Sequence, residues 1–123
     1  MYRIKVAEAF EAAHNLREYE GKCARLHGHN WVIEAEIKGE KLNNIGILID
    51  FKDVKRELKD LLDRLDHRYL NEITPFDKIN PTAENLARFI YDEFKTNKIF
   101  EGNAKLTAIT VFESPKSSVR YTE

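Results

Sequence analysis

Four side chains suited to metal or acid–base chemistry fall within the first 29 residues of this chain: His14, Cys23, His27 and His29. His27 and His29 flank Gly28, and in an extended segment both imidazoles project from one face. Neutral imidazole nitrogens suit zinc. A third histidine would complete the three-ligand arrangement that keeps one coordination position open for reaction, and His14 is the candidate. Read alone, an H-G-H triplet is more simply an ordinary pair of polar surface residues, but its coincidence with His14 and Cys23 shifts that balance. Cys23 is the only cysteine, so it forms no intrachain disulfide. Near several histidines it reads as a catalytic or metal-binding group, the alternative being a buried structural thiol. Were Cys23 a fourth ligand, the four residues would close a structural zinc site on a non-enzymatic module.

The fourth histidine lies in RLDHRYLN, where His67 follows Asp66. Adjacent residues on a helix do not face one another, so an Asp66–His67 hydrogen bond requires a helix end or a turn. The plainer reading is a solvated charged helix end.

These residues need elements to hold them. Tyr2, Ile4, Val6, Phe10 and Ala12 recur at even positions, which predicts a strand running to His14 with the histidine on the apolar side. After a polar loop from Asn15 to Arg25, HNWVIEAEIKG places His29, Trp31, Ile33, Ala35 and Ile37 on one strand face and Glu34, Glu36 and Lys38 on the other. Gly39 and KLNNIG read as a turn leading into Ile47–Ile49, an antiparallel hairpin. Asp50 caps a helix bearing Val54, Leu58, Leu61, Leu62 and Leu65, and a second helix begins near Pro81 and Thr82 with Leu86, Phe89, Ile90 and Phe94. LTAITVFE and SSVRYTE alternate around Ser114 and Pro115 as a second hairpin. The order predicts an α+β fold, a four-stranded antiparallel sheet with two helices on one face. Four strands leave edges that want charge, cover or a partner subunit.

Length and composition bound the rest. With 123 residues and 42% hydrophobic composition, residues 1–123 read as one domain. Twenty basic against twenty-one acidic residues give a net charge of −1, which provides no general attraction for nucleic acid or anionic lipid. The N-terminal MYRIKVAEAFEAAH interrupts its apolar residues with charges, so it is neither a signal peptide nor a membrane span, and a cytoplasmic location is expected.

FEAAH at 10–14, CARLHGH at 23–29, LDHRYLN at 65–71, PTAEN at 81–85 and Glu113 together resemble the 6-pyruvoyl-tetrahydropterin synthase family. The match is closest to its 6-carboxy-5,6,7,8-tetrahydropterin synthase branch and spans nearly the whole chain. Three residues separate Cys23 from His27, where the 6-pyruvoyl branch has a longer spacer. A third branch, producing a 6-hydroxymethyl pterin, typically has glutamate in place of this cysteine.

The resemblance implies that His14, His27 and His29 hold zinc, that Cys23 abstracts a proton, and that Asp66 and His67 form a dyad assisting it. It further implies that Glu113 anchors the pterin's guanidine-like edge and that Thr82, Ala83 and Glu84 form a pterin-contacting turn, although Thr82 is equally explained as a helix cap. The implied fold is the tunnelling fold, in which subunits join their sheets into a barrel and stack as two trimers, a homohexamer. The implied substrate is a pterin triphosphate, 7,8-dihydroneopterin triphosphate. It is converted to 6-carboxy-5,6,7,8-tetrahydropterin, acetaldehyde and triphosphate, early in the biosynthesis of deazapurine tRNA nucleosides such as queuosine. The enzyme itself is expected to bind neither tRNA nor membrane. Arg17, Lys22, Arg25 and Lys116 are candidates for the triphosphate, each equally readable as solvated surface.

Overall fold

The computed structural model describes residues 1–123. Strand β1 (Tyr2–His14) pairs antiparallel with β2 (His27–Gly39) along its whole length, from Tyr2 opposite Gly39 to His14 opposite His27. The alternation read from sequence holds. Val6, Phe10 and Ala12 from β1 and Trp31, Ile33, Ala35 and Ile37 from β2 are buried.

Helix α1 (Phe51–Leu62) starts where the Asp50 carboxylate accepts the Lys52 N–H at 2.8 Å, and it buries Val54, Leu58 and Leu62. Each fully buried leucine contributes about 1.5–3 kcal/mol, and Leu58→Ala would cost about 2–5 kcal/mol because a cavity is left behind. Helix α2 (Ala83–Phe94) is capped by the Thr82 hydroxyl, which accepts the Asn85 N–H at 3.1 Å. Its buried residues are Leu86, Ala87, Ile90, Tyr91 and Phe94. Strands β4 (Lys105–Ser114) and β5 (Ser117–Tyr121) form the second hairpin. A single cluster of 23 buried residues joins both helices to the same sheet face. The other face carries ion pairs such as Arg120–Glu36, at 2.6 Å, and Lys5–Glu34, at 3.6 Å.

Two expectations change. The sheet has five strands rather than four, in the order β3-β1-β2-β4-β5, and β3 (Arg68–Tyr69) runs parallel to β1 at Ala12 and Ala13. Two residues are too few for alternation to be visible in sequence. Second, Ile47–Ile49 forms no strand, because β2 pairs with β1 and β4 on its two sides. Instead Asn43 folds the connection on itself: its side-chain oxygen accepts the N–H groups of Ile45 and Ile47, both at 3.0 Å. Leu48 then packs over Gly39, where a Cβ would lie only 2.3 Å from the leucine Cδ1. The sheet is open, as expected of so few strands: β1 meets β3 only at Ala12 and Ala13, and β5 pairs only with β4.

Candidate metal centre and active site

The β1–β2 register builds the histidine group. His14 stands directly opposite His27, and His29 lies two residues along β2 on the same face. His14 Nδ1 lies 2.7 Å from the Pro81 carbonyl and His27 Nδ1 lies 2.6 Å from the Arg25 carbonyl. Because a carbonyl only accepts, Nδ1 is the donating nitrogen in both rings and Nε2 keeps its lone pair. One ligand-capable nitrogen from each of the three histidines lies within 4.8 Å of the others. Trp31 meets the His14 and His29 rings edge-on at centroid distances of 5.0 Å and is itself fixed by an indole N–H donated to the Ala12 carbonyl at 3.2 Å.

Two features fit a cation at this group. Burial pushes the His14 and His29 imidazoles below the usual histidine range, against the opposing pull of the Pro81 carbonyl on His14 and of Glu113 on both, so they favour the neutral form that binds metal. His14 Nε2 and His29 Nε2 are also buried without a hydrogen-bond partner, an arrangement that costs free energy unless something occupies the lone pairs. An all-imidazole donor set suits zinc among the abundant divalent ions.

Cys23 stands apart from the group of side chains close enough to share one ion. It is half-buried in a short 3-10 turn, Lys22–Ala24, and its carbonyl accepts the Leu16 N–H at 2.7 Å. The four-ligand closed site considered from sequence is therefore not formed.

Asp66 and His67 occupy the turn that their hydrogen bond required. His67 adopts φ +57°, a left-handed conformation uncommon for a non-glycine residue, and its Nδ1 lies 3.0 Å from Asp66 Oδ2. The turn is clipped to β1: Glu11 donates its N–H to Asp66 Oδ1 at 2.9 Å and accepts the His67 N–H at 2.6 Å. The Glu11 N–H, and then His67, hold the Asp66 carboxyl below its ordinary range, while Asp66 raises the His67 imidazole. His67 and His29 line one open hollow of about 590 Å³ with Glu11, Gly28 and Asn30.

A second hollow, of about 460 Å³, brings together Thr82, Ala83, Glu84 and Glu113 with Arg17 and Tyr19. Glu113 lies at its histidine end, with carboxylate oxygens 4.0 Å from His14 Nε2 and 3.8 Å from His29 Nε2. Thr82 both caps α2 and lines this hollow. Arg17, a candidate triphosphate contact from sequence, lines this hollow, and one nitrogen of its guanidinium donates to the Phe76 and Ile79 carbonyls at 2.7 and 2.8 Å. Sequence reasoning missed Trp31 and Glu11 as supports of the site. Trp31 was legible through its shared parity with His29, whereas Glu11 lies on the opposite parity from His14 and gave no signal.

The sequence matches the family model described as 6-pyruvoyl tetrahydropterin synthase over residues 3–123. The chain belongs to the 6-pyruvoyl tetrahydropterin synthase family. Among curated relatives of this synthase family, it is 31% identical to the 6-carboxy-5,6,7,8-tetrahydropterin synthase of Haemophilus influenzae, with 100% of both chains covered. It is 33% identical to the 6-pyruvoyl tetrahydrobiopterin synthase of Dictyostelium discoideum, covering 93% of this chain and 90% of that one. The solved structure of Caenorhabditis elegans 6-pyruvoyl tetrahydropterin synthase superposes with a TM-score of 0.85 at 28% identity, over 99% of this chain and 95% of that one. The synthase family model therefore covers every candidate site residue from His14 to Glu113. No helix is long and apolar enough to cross a membrane.

Proposed function

We propose that this protein is a zinc-dependent lyase of the cytoplasm that converts 7,8-dihydroneopterin triphosphate and water to 6-carboxy-5,6,7,8-tetrahydropterin, acetaldehyde and triphosphate. Its place is early in the biosynthesis of deazapurine tRNA nucleosides. The observation that carries this reading is the meeting of Glu113 with the histidine group at the end of one hollow. A planar heteroaromatic ring held by its guanidine-like edge there would extend its side chain toward the imidazoles.

In this reading Glu113 accepts two parallel hydrogen bonds from the pterin edge, fixing ring orientation. Thr82, Ala83 and Glu84 bound the ring. His14, His27 and His29 would hold zinc, which supplies a Lewis acid toward side-chain oxygens and so acidifies the neighbouring carbon-bound proton. Cys23 takes up that proton as thiolate. The Asp66–His67 pair assists: an imidazole raised by its carboxylate partner carries its proton over a wider pH range and can exchange it with the cysteine. The exposed outer edges of β1 and β5 support assembly, with residues 1–123 acting as one domain in a hexamer of two trimers whose sheets join into a barrel.

The short Cys23–His27 spacer and the Haemophilus influenzae relative support the carboxy product. A 6-pyruvoyl product, formed by triphosphate elimination without acetaldehyde release, is the second reading, favoured by the names of the Dictyostelium discoideum and Caenorhabditis elegans relatives. Mass spectrometry of the products from 7,8-dihydroneopterin triphosphate separates them. Acetaldehyde together with the carboxy pterin is expected, and triphosphate release without acetaldehyde would install the second reading.

A further inference from the structure

Asn71 is the one buried amide close to the candidate site, 8% exposed, and neither the metal group nor the pterin hollow uses it. It follows Asp66 and His67 by only a few residues, in the 3-10 turn Leu70–Glu72 that leaves β3. Its side chain clamps both backbone polar groups of Asn15. Asn71 Oδ1 accepts the Asn15 N–H at 3.0 Å and Asn71 Nδ2 donates to the Asn15 carbonyl at 2.9 Å. Only a primary amide carries a donor and an acceptor side by side in this way, so the amide orientation follows from its partners.

Asn15 passes the constraint on. Its Nδ2 donates to the Ala24 carbonyl at 3.3 Å, and its Oδ1 accepts the Tyr69 hydroxyl. The next residue, Leu16, donates its N–H to the Cys23 carbonyl at 2.7 Å. The carbonyls of Cys23 and Ala24 are thus tied to Asn15 and Leu16, and Asn15 is tied to Tyr69 and Asn71. Asn15 also directly follows His14. The junction accordingly lies between a candidate metal ligand, the cysteine loop and the segment carrying the acid–base pair.

We propose that Asn71 is a positioning residue that, through Asn15, fixes the Cys23 loop in register with the His14 metal ligand and the Asp66–His67 turn. This rests on the reading of Cys23 as the proton-transferring group. A polar clamp suits the task because the loop contributes no large apolar side chain to the core, so its placement depends on directional bonds.

The test uses Asn71→Asp, which keeps the shape and the acceptor but loses the donor, and Tyr69→Phe, which removes only the hydroxyl. Each is compared with the unaltered zinc-loaded protein. In Asn71→Asp, kcat should fall by about 10- to 100-fold, the scale set by a displacement near 1 Å, while KM and zinc content stay unchanged. Tyr69→Phe should show the same split with a smaller drop. Because Cys23 is the only cysteine, iodoacetamide labelling reads its environment directly, and its rate-versus-pH profile should change in Asn71→Asp. Unchanged kcat and an unchanged labelling profile in the folded variants would overturn the proposal, as would a kcat loss that merely tracks lost zinc. Full turnover in Cys23→Ala would instead defeat the catalytic reading of Cys23, while the labelling profile would still decide whether Asn71 positions that loop.

Discussion

The histidine group and the Asp66–His67 turn both lie beside the end of β1, yet opposite means hold them in place. The three imidazoles stand on paired thirteen-residue strands whose register is locked by a buried apolar face, and slipping that register by one residue would turn every side chain to the wrong side. The turn rests on two backbone bonds to Glu11 and one left-handed residue, with the His67 side chain 72% exposed. A metal centre needs several donors converging within a fraction of an ångström, which a sheet supplies. The proton-carrying role proposed for this pair needs access to solvent and freedom to adjust, which a clipped turn would supply.

Removing a member of the histidine group should break this contrast most severely. His14→Ala is expected to strip most of the zinc and, with it, turnover. It should also lower the melting temperature, since losing a buried hydrogen bond such as that to Pro81 costs about 1–3 kcal/mol. Normal zinc content and turnover in that variant, measured by elemental analysis and steady-state kinetics, would remove His14 from the centre.

Cys23→Ala should leave zinc and fold intact and lower turnover by about 10²- to 10⁴-fold, the usual contribution of a positioned acid or base. Zinc loss accompanied by unfolding would instead make Cys23 a structural ligand, because metal binding at such a site is coupled to folding.

Glu113→Ala should act on ligand affinity while sparing the metal. The lost charge-assisted contact corresponds to about 1.5–3 kcal/mol, or roughly 10- to 150-fold in dissociation constant. Titration calorimetry with a pterin checks this, and unchanged affinity would contradict the anchor role.

The smallest expected effect is a pH dependence that sets the two regions against each other. His14 and His29 have folded-state pKa values below the unfolded value of 6.5, so below about pH 6.5 the unfolded chain binds protons that the folded chain refuses. The metal-free protein should therefore lose stability as pH falls through that window. His67 has the opposite sign: its raised pKa contributes stability that is full below 6.5 and is lost as pH rises through the folded value. Because His67 is exposed, its share is small and screened by salt. Asp66, held low, contributes stability above its ordinary value of 3.8 and loses it in more acid solution. Thermal melts of metal-free protein and of His67→Ala across pH 5–8 should show the loss on acidification in both. A melting temperature that rises on acidification in His67→Ala would contradict the neutral-histidine account.

Much of the site was legible because strand alternation is a strong local signal. The even positions of β1 and odd positions of β2 put His14 and His29 on the core side, the caps Asp50 and Thr82 marked both helices, and the spacing around Cys23 carried the family resemblance. Ile47–Ile49 misled because an apolar run states a wish for burial without naming a partner, and β2 had both of its edges taken. The two-residue β3 was too short to announce itself.

The residue types by themselves determined which groups have the chemistry to bind a metal, and periodicities of two and 3.6 determined which face of each strand they occupy and which residues of each helix turn to the core. Only the tertiary structure decided that His14 faces His27, that Glu113 reaches the imidazoles, that Asp66 accepts the Glu11 N–H, and that Arg17 donates to the Phe76 and Ile79 carbonyls. Those pairings join residues far apart in sequence through register and individual hydrogen bonds, and no local pattern encodes a distance across the fold.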